Sequence, residues 1–142
     1  MIREFRPDDL DGAMAIWLAA NTQAHGFISR DYWAGHYDAV AAMLPRAELY
    51  VWEDGGSGRI EGFIGLTGNY IAGIFVRDGA RSKGIGRSLL EHAKGRRERL
   101  ELHVYQKNRR AVRFYRREGF LIRAEGVEEE TGEHEFFMAW QR

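Results

Sequence analysis

Arg81, Ser82, Lys83, Gly84, Ile85 and Gly86 stand together as R-S-K-G-I-G, two cations and two glycines within six positions. The stretch before them, Tyr70 to Val76 (Y-I-A-G-I-F-V), has the β-branched and aromatic content of a buried strand. After them, Ile85, Leu89, Leu90 and Ala93 fall on one helical stripe. The order is therefore strand, short polar turn, glycine loop, helix. The first N–H groups of a helix have no intrahelical partner, and phosphate is their usual guest. The helix dipole adds roughly 0.3–1 kcal/mol at an exposed site, and Arg81 and Lys83 add full charges. Glycines 84 and 86 keep Cβ atoms away from where phosphate oxygens must approach. Gly73, inside the strand, predicts a bulge or a close backbone approach. Two familiar phosphate loops do not fit. The order G-x-x-x-x-G-K-[ST] is absent, and the third glycine of G-x-G-x-x-G is replaced by Leu89.

What remains is R-x-x-G-x-G directly after a strand. A second motif follows, N-R-R-A-V-R-F-Y-R-R-E-G-F from Asn108 to Phe120. Together they resemble the acetyl-CoA pyrophosphate loop and the C-terminal signature (N-x-x-A-x-x-F-Y-x-x-x-G-F) of the GNAT superfamily of N-acetyltransferases. The resemblance is most specific from Tyr70 to Phe120 and looser before that.

The elements that must position these residues follow from patterning. Ile2 to Phe5 reads as a short strand, and Pro7-Asp8-Asp9 as a helix entry. Leu10, Ala13, Met14, Trp17 and Leu18 carry that helix to about Ala24. Ser29 caps a second helix with Trp33, Tyr37, Val40 and Leu44 on one face, ended by Pro45. Glu48 to Glu53, Arg59 to Thr67 and Tyr70 to Val76 are strands of an antiparallel meander. A helix runs from Gly84 to about Gly95. Leu100 to Tyr105 is a strand parallel to the central one, because a helix separates them. Asn108 caps a helix ended by Gly119, and Leu121 to Glu128 and His134 to Trp140 form the last hairpin. The order β-α-α-β-β-β-α-β-α-β-β is that of the GNAT fold. It implies one mixed α/β domain over 1–142, with a mostly antiparallel sheet of about seven strands. Residues 1–67 supply the N-terminal strand, two helices and hairpin, 70–120 the acetyl-CoA-binding core, and 121–142 the C-terminal hairpin.

The resemblance also implies roles. The backbone of Ile74, Phe75 and Val76 pairs with the pantetheine arm like an added strand, in a gap where the central strand splays from its parallel neighbour. An N–H at Phe75 or Val76 polarises the thioester carbonyl. Arg81, Ser82, Lys83, Gly84, Ile85 and Gly86 wrap the pyrophosphate, with Ile85 offering only its N–H. Asn108 contacts the arm besides capping its helix. Tyr115, the tyrosine of the F-Y pair, lies near the cofactor sulfur as general acid; a free tyrosine has a pKa of about 10 and holds its proton at neutrality. Many relatives place a glutamate five residues before the motif asparagine. Here that position is His103, and histidine is a competent base near neutrality. His25, Tyr70 and a water relay are the other candidates for the base.

Composition narrows the alternatives. The 142 residues include no cysteine, which excludes disulfides, thiolate metal sites and a cysteine nucleophile. Transfer would then be direct, within a ternary complex. The start M-I-R-E-F-R-P has no long apolar run, so neither a signal peptide nor a membrane span is expected, and the cytoplasm is the expected location. His92, His103 and His134 fall on separate elements, so no metal site is expected. Net charge is zero, yet 77–117 holds 14 Lys and Arg against 4 Asp and Glu, a net of +10, and the rest carries −10. Such a field focuses an anionic ligand. Coenzyme A suits it, and nucleic acid is the rival, disfavoured because the segment reads as two amphipathic helices with solvated charged faces. A coenzyme A-binding module without catalysis is the further alternative. The acceptor is a small-molecule or peptide amine, on a monomer or homodimer. Phe27, Tyr32, Trp33, Tyr37 and Tyr70 are candidates for an aromatic acceptor pocket. Glu125, Glu128, Glu129, Glu130 and Glu133 read as a solvated hairpin, with attraction of a cationic amine as the alternative.

Overall fold

The computed structural model describes residues 1–81 and 83–142. Ser82, one of the pyrophosphate-loop residues expected above, lies outside the described residues. The elements run β1 (Ile2–Glu4), α1 (Leu10–Ala24), α2 (Arg30–Met43), β2 (Glu48–Glu53), β3 (Ile60–Thr67), β4 (Tyr70–Val76), α3 (Ile85–Lys94), β5 (Arg99–Tyr105), α4 (Arg109–Arg117), β6 (Leu121–Val127) and β7 (His134–Gln141). The described strands form one seven-stranded sheet in the order β1-β2-β3-β4-β5-β7-β6. All pairings are antiparallel except β4 with β5.

Side-chain alternation splits the sheet into two apolar faces. Ile64, Leu66, Ile71, Leu100, Leu102 and Met138 pack with Leu89 and Leu90 of α3 and with Tyr115 and Phe120. On the other face Leu49, Val51 and Phe63 pack with Met14 and Trp17 of α1 and Trp33 of α2.

Two helix starts differ from the sequence reading. Pro7–Asp9 is a 3₁₀ turn, and α1 begins only at Leu10. There the Asp9 carboxylate accepts the Arg6 backbone N–H at 2.7 Å and is gripped by the Arg3 guanidinium at 2.8 and 2.9 Å. Gly84 stands outside α3 as its N-cap, because its φ of +78° is left-handed and has no place in a right-handed helix.

The bulge expected at Gly73 is present beside it, and the close neighbour there is a side chain rather than another backbone. Gly65 pairs with Gly73 and Leu66 with Ile71, so Ala72 is an extra, bulged residue. A Cβ on Gly73 would also lie 2.3 Å from the Phe75 ring, which folds back over it. Bulging bends β4 just before the stretch where it leaves β5. The parallel pair itself is confined to Tyr70 opposite Glu101. Beyond that point the strands part, as a splayed pair should.

Candidate active site

Where β4 and β5 part, a cleft of about 1350 Å³ opens between β4, the start of α3, α4 and the end of α1. Ile74, Phe75 and Val76 form its floor, and Arg81, Gly84, Ile85 and Gly86 one end. Asn108 and Tyr115 stand on the opposite wall. With His25, which also lines it, ten of the residues singled out from the sequence share one cavity. Lys83 and His103 do not line it.

The ladder decides which backbone groups face the gap. Arg77 N–H donates to the Glu61 carbonyl at 2.8 Å. Residue pairs in an antiparallel ladder alternate between bonded and non-bonded, so Phe75 is turned to Phe63 of β3, while Ile74 and Val76 present N–H and C=O toward β5. Of the two N–H groups expected to polarise a carbonyl, only that of Val76 faces the gap, with Ile74 as its neighbour; the Phe75 N–H is spent on the sheet. With β5 diverging, these groups form an open edge suited to an extended guest.

At the α3 end, the first intrahelical bond runs from Ser88 N–H to the Gly84 carbonyl at 3.0 Å. The N–H groups of Ile85, Gly86 and Arg87 precede it and have no intrahelical acceptor. A Cβ on Gly86 would meet nothing closer than Val76 at 3.8 Å and Phe114 at 3.9 Å, so this glycine leaves cleft space open without being needed for packing. The Arg81 guanidinium donates to the Gln23 side chain at 3.0 Å, tying the loop to the end of α1.

On the far wall, Arg109, Arg110, Arg113 and Arg117 of α4 border the cleft, and none makes an ion pair with an acid among the described residues. Other cations nearby are matched: Arg87 with Glu118 at 3.5 Å, Lys94 with Glu91 at 3.6 Å, Lys107 with Glu133 at 3.2 Å. The α4 arginines read from the sequence as a solvated face; the spacing 109, 113, 117 along one side of a helix was the available signal. Together with the free N–H groups, this donor set fits a polyanion with an amide-bearing arm, which is the chemistry of acetyl-CoA.

Tyr115 is 8% exposed, packed edge-on to Phe114 and Phe120. Burial, with a smaller contribution from Tyr70, pushes its phenol well above the usual tyrosine range, so it keeps its proton at any working pH. His103 lies exposed on the sheet face opposite Leu102 and Val104. Its Nδ1 is 2.9 Å from the Tyr70 hydroxyl, and its ring is 5.1 Å from that of Phe137. Burial, then Glu135, raises the Tyr70 phenol above its ordinary value. Tyr70 thus stands at the vertex of the splayed strands, hydrogen-bonded to His103 on one side and electrostatically felt by Tyr115 on the other.

His25 is buried against the same wall. Its ring stacks on Trp33 at 5.3 Å and meets Phe27 and Tyr105 edge-on. Burial pulls its pKa down to about 4, opposed in part by the Asn21 carbonyl and Glu128. With its Nε2 3.1 Å from the Asn108 amide, it is poorly placed to take a proton from an amine.

The acidic stretch is only in part the solvated hairpin expected: Glu125, Glu129 and Glu130 are exposed, while Glu128 and Glu133 are half-buried. Tyr105 donates its hydroxyl proton to Glu128 at 2.7 Å, and Tyr32 donates to Glu130 at 2.7 Å. Burial and these carboxylates raise both phenols. The β6–β7 turn is therefore folded onto α2 and β5, carrying negative charge to the face that holds Tyr70 and His103. Local sequence reveals the turn but not where its tip lands. Among the described residues, no group of three or more His, Cys, Asp or Glu is placed to hold a metal ion, and no helix is long and apolar enough to cross a membrane.

Comparison with known proteins agrees with this geometry. A family model described as "Acetyltransferase (GNAT) domain" matches residues 45–122. The chain is 35% identical over 142 residues to peptidyl-lysine N-acetyltransferase YiaC of Escherichia coli (strain K12), covering 99% of this chain and 96% of that protein. It is 30% identical over 131 residues to peptidyl-lysine N-acetyltransferase YjaB of the same strain, covering 92% and 88% respectively. The solution structure of apo-form YjaB from Escherichia coli superposes with a TM-score of 0.87 at 29% identity, covering 99% of this chain and 96% of that one.

Proposed function

The chain belongs to the GNAT acetyltransferase family, and from that premise we propose that it moves the acetyl group of acetyl-CoA onto the ε-amine of a lysine in a peptide or protein. The observation that carries the acetyl-CoA reading is the parting of β4 from β5 beyond the Tyr70–Glu101 pair, with the N–H groups of Ile74 and Val76 turned into the gap. The arm of the cosubstrate pairs there, Asn108 adds a side-chain contact, and the N–H groups of 85–87 with Arg81 hold the pyrophosphate. The unpaired α4 arginines supply further positive charge. Ser82 and Lys83 complete that loop in this reading.

Transfer is direct. The neutral amine attacks the thioester carbonyl carbon, whose oxygen is polarised by the Val76 N–H. A C–N bond forms and the C–S bond breaks. Tyr115, kept protonated by burial, gives its proton to the leaving thiolate. His103, hydrogen-bonded to Tyr70, takes the proton of the amine directly or through that hydroxyl. Two things support lysine as the acceptor: the names of the two E. coli relatives, and the carboxylates of Glu128, Glu130 and Glu135 around Tyr70, Tyr105 and His103, which favour a cationic side chain on approach.

Incubation with acetyl-CoA and lysine-containing peptides, read by thiol release and by mass spectrometry, tests this. The expected result is acetyl-lysine formed one-to-one with free thiol. Acetylation confined to the peptide α-amine would replace the acceptor, and tight acetyl-CoA binding without transfer to any amine would leave only a binding module.

A further inference from the structure

We infer that His25 is a positioning residue: its neutral imidazole fixes the side-chain amide of Asn108 so that one N–H remains directed to a carbonyl of the ligand in the cleft. The inference rests on the acetyl-CoA reading of that cleft and concerns a residue 83 positions away in sequence from the one it holds.

Asn108 Nδ2 and His25 Nε2 are 3.1 Å apart. An amide nitrogen has no lone pair to accept with, so the amide donates and Nε2 accepts. The imidazole is then neutral with its proton on Nδ1. Burial against Trp33, Phe27 and Tyr105 favours that neutral form. The amide orientation is fixed a second time, independently. Asn108 Oδ1 accepts the Ala111 N–H at 3.3 Å as the cap of α4. Oxygen to the helix and nitrogen to the histidine is the one arrangement that satisfies both partners. It leaves Asn108, which lines the cleft, a single N–H for a ligand, and an N–H selects a carbonyl oxygen.

The histidine carries a cost that a packing role would not require. Its Nδ1 is buried and makes no well-formed hydrogen bond among the described residues, the Asn21 carbonyl offering only a weak acceptor. A phenylalanine would stack on Trp33 equally well without that burden. What a phenylalanine lacks is the acceptor facing Asn108. The same contact ties the α1–α2 connection, where Ile28 N–H closes back on the His25 carbonyl at 2.9 Å, to the β5–α4 turn. The two walls of the cleft are thereby held in one register.

Calorimetric titration of the full chain with acetyl-CoA tests this in wild type, His25→Phe, His25→Gln, Asn108→Ala and the His25→Phe/Asn108→Ala double variant. His25→Phe is expected to weaken binding ~5–10-fold, and His25→Gln, whose side-chain oxygen can accept, to restore it to within about twofold. In the Asn108→Ala background His25→Phe should change affinity by less than about twofold, because the group it acts through is gone. An equal loss in both backgrounds, or no loss in either, overturns the inference while leaving the cleft as the acetyl-CoA site. Failure of the wild type to bind acetyl-CoA overturns the reading of the cleft itself. Nitrogen NMR of the wild-type ring needs no variant: Nδ1 protonated and Nε2 bare is the expected tautomer, and the reverse overturns the inference.

Discussion

Along β4 and into α3, the groups turned to the cleft are backbone N–H groups, set by a bulge at Ala72, a left-handed Gly84 and the opening of a helix. Outside the cleft, a second wall made by Tyr70, β5, α2 and the β6–β7 turn offers side chains instead: His103 with Tyr70, Tyr105 with Glu128, Tyr32 with Glu130. Backbone recognition requires glycines and strand-to-helix order at fixed spacing, and it presents the same donors whatever the neighbouring side chains are. Side-chain recognition can be rewritten one residue at a time. The first wall suits a cosubstrate common to a family, and the second suits an acceptor that differs between members.

The largest effect should come from filling the backbone wall. Gly86→Glu places a carboxylate among the N–H groups at the start of α3, in space that no packing atom needs. Acetyl-CoA affinity should fall ~100-fold or more, by calorimetry, since the added negative charge faces a pyrophosphate. The unliganded unfolding midpoint should stay within a few degrees. Gly84→Glu is a poorer probe, because a side chain at a φ of +78° adds backbone strain of its own.

Next come the groups at the vertex. Tyr115→Phe should lower kcat about 10²-fold with acetyl-CoA affinity unchanged within about twofold, as expected for loss of a general acid. His103→Ala should lower kcat/KM ~10-fold, also with acetyl-CoA affinity unchanged, because His103 lies outside the cleft. A loss of cosubstrate affinity in either variant would collapse the division between the two walls.

Smaller still is Glu128→Gln, which keeps an acceptor for Tyr105 while removing a charge. KM for a lysine peptide should rise ~3-fold at low salt and converge with wild type as salt screens the field. The smallest effect on the site belongs to Asp9, remote from both walls. Hydrogen bonding and charge from Arg3 hold its carboxyl below the usual aspartate range. A depressed folded pKa means stability that is complete above the unfolded value, about 3.9, and lost as pH falls through the folded one. Asp9→Asn should cost about 2 kcal/mol by urea unfolding at pH 7, and the gap should close only below about pH 4. Peptide acetylation rates should not change.

What the sequence disclosed divides along the same line. Strand and helix order, the parallel β4–β5 pair, the bulge near Gly73 and the gathering of Ile74, Val76, Arg81, Gly84, Gly86, Asn108 and Tyr115 were legible because each follows from local periodicity or from a motif within Tyr70 to Phe120. The His25–Asn108 contact was not, since nothing at either position encodes a meeting across 83 residues. Nor was the docking of Glu128 and Glu130 on Tyr105 and Tyr32: turn residues set the reversal of β6 into β7, and only packing of α2 sets where it lands. The ladder phase that turns Val76 rather than Phe75 to the gap likewise needed the β3–β4 register.

Thermal unfolding with and without saturating acetyl-CoA, in wild type and Gly86→Glu, decides whether the β4 edge and the start of α3 hold the cosubstrate. At ~100 times its dissociation constant the ligand adds about 2.7 kcal/mol to stability, which for this length raises the midpoint by roughly 5–10 °C. That rise is expected in wild type, and none in Gly86→Glu. No rise in a folded wild type, or an equal rise in both, would contradict a cosubstrate site built from the β4 edge and the start of α3.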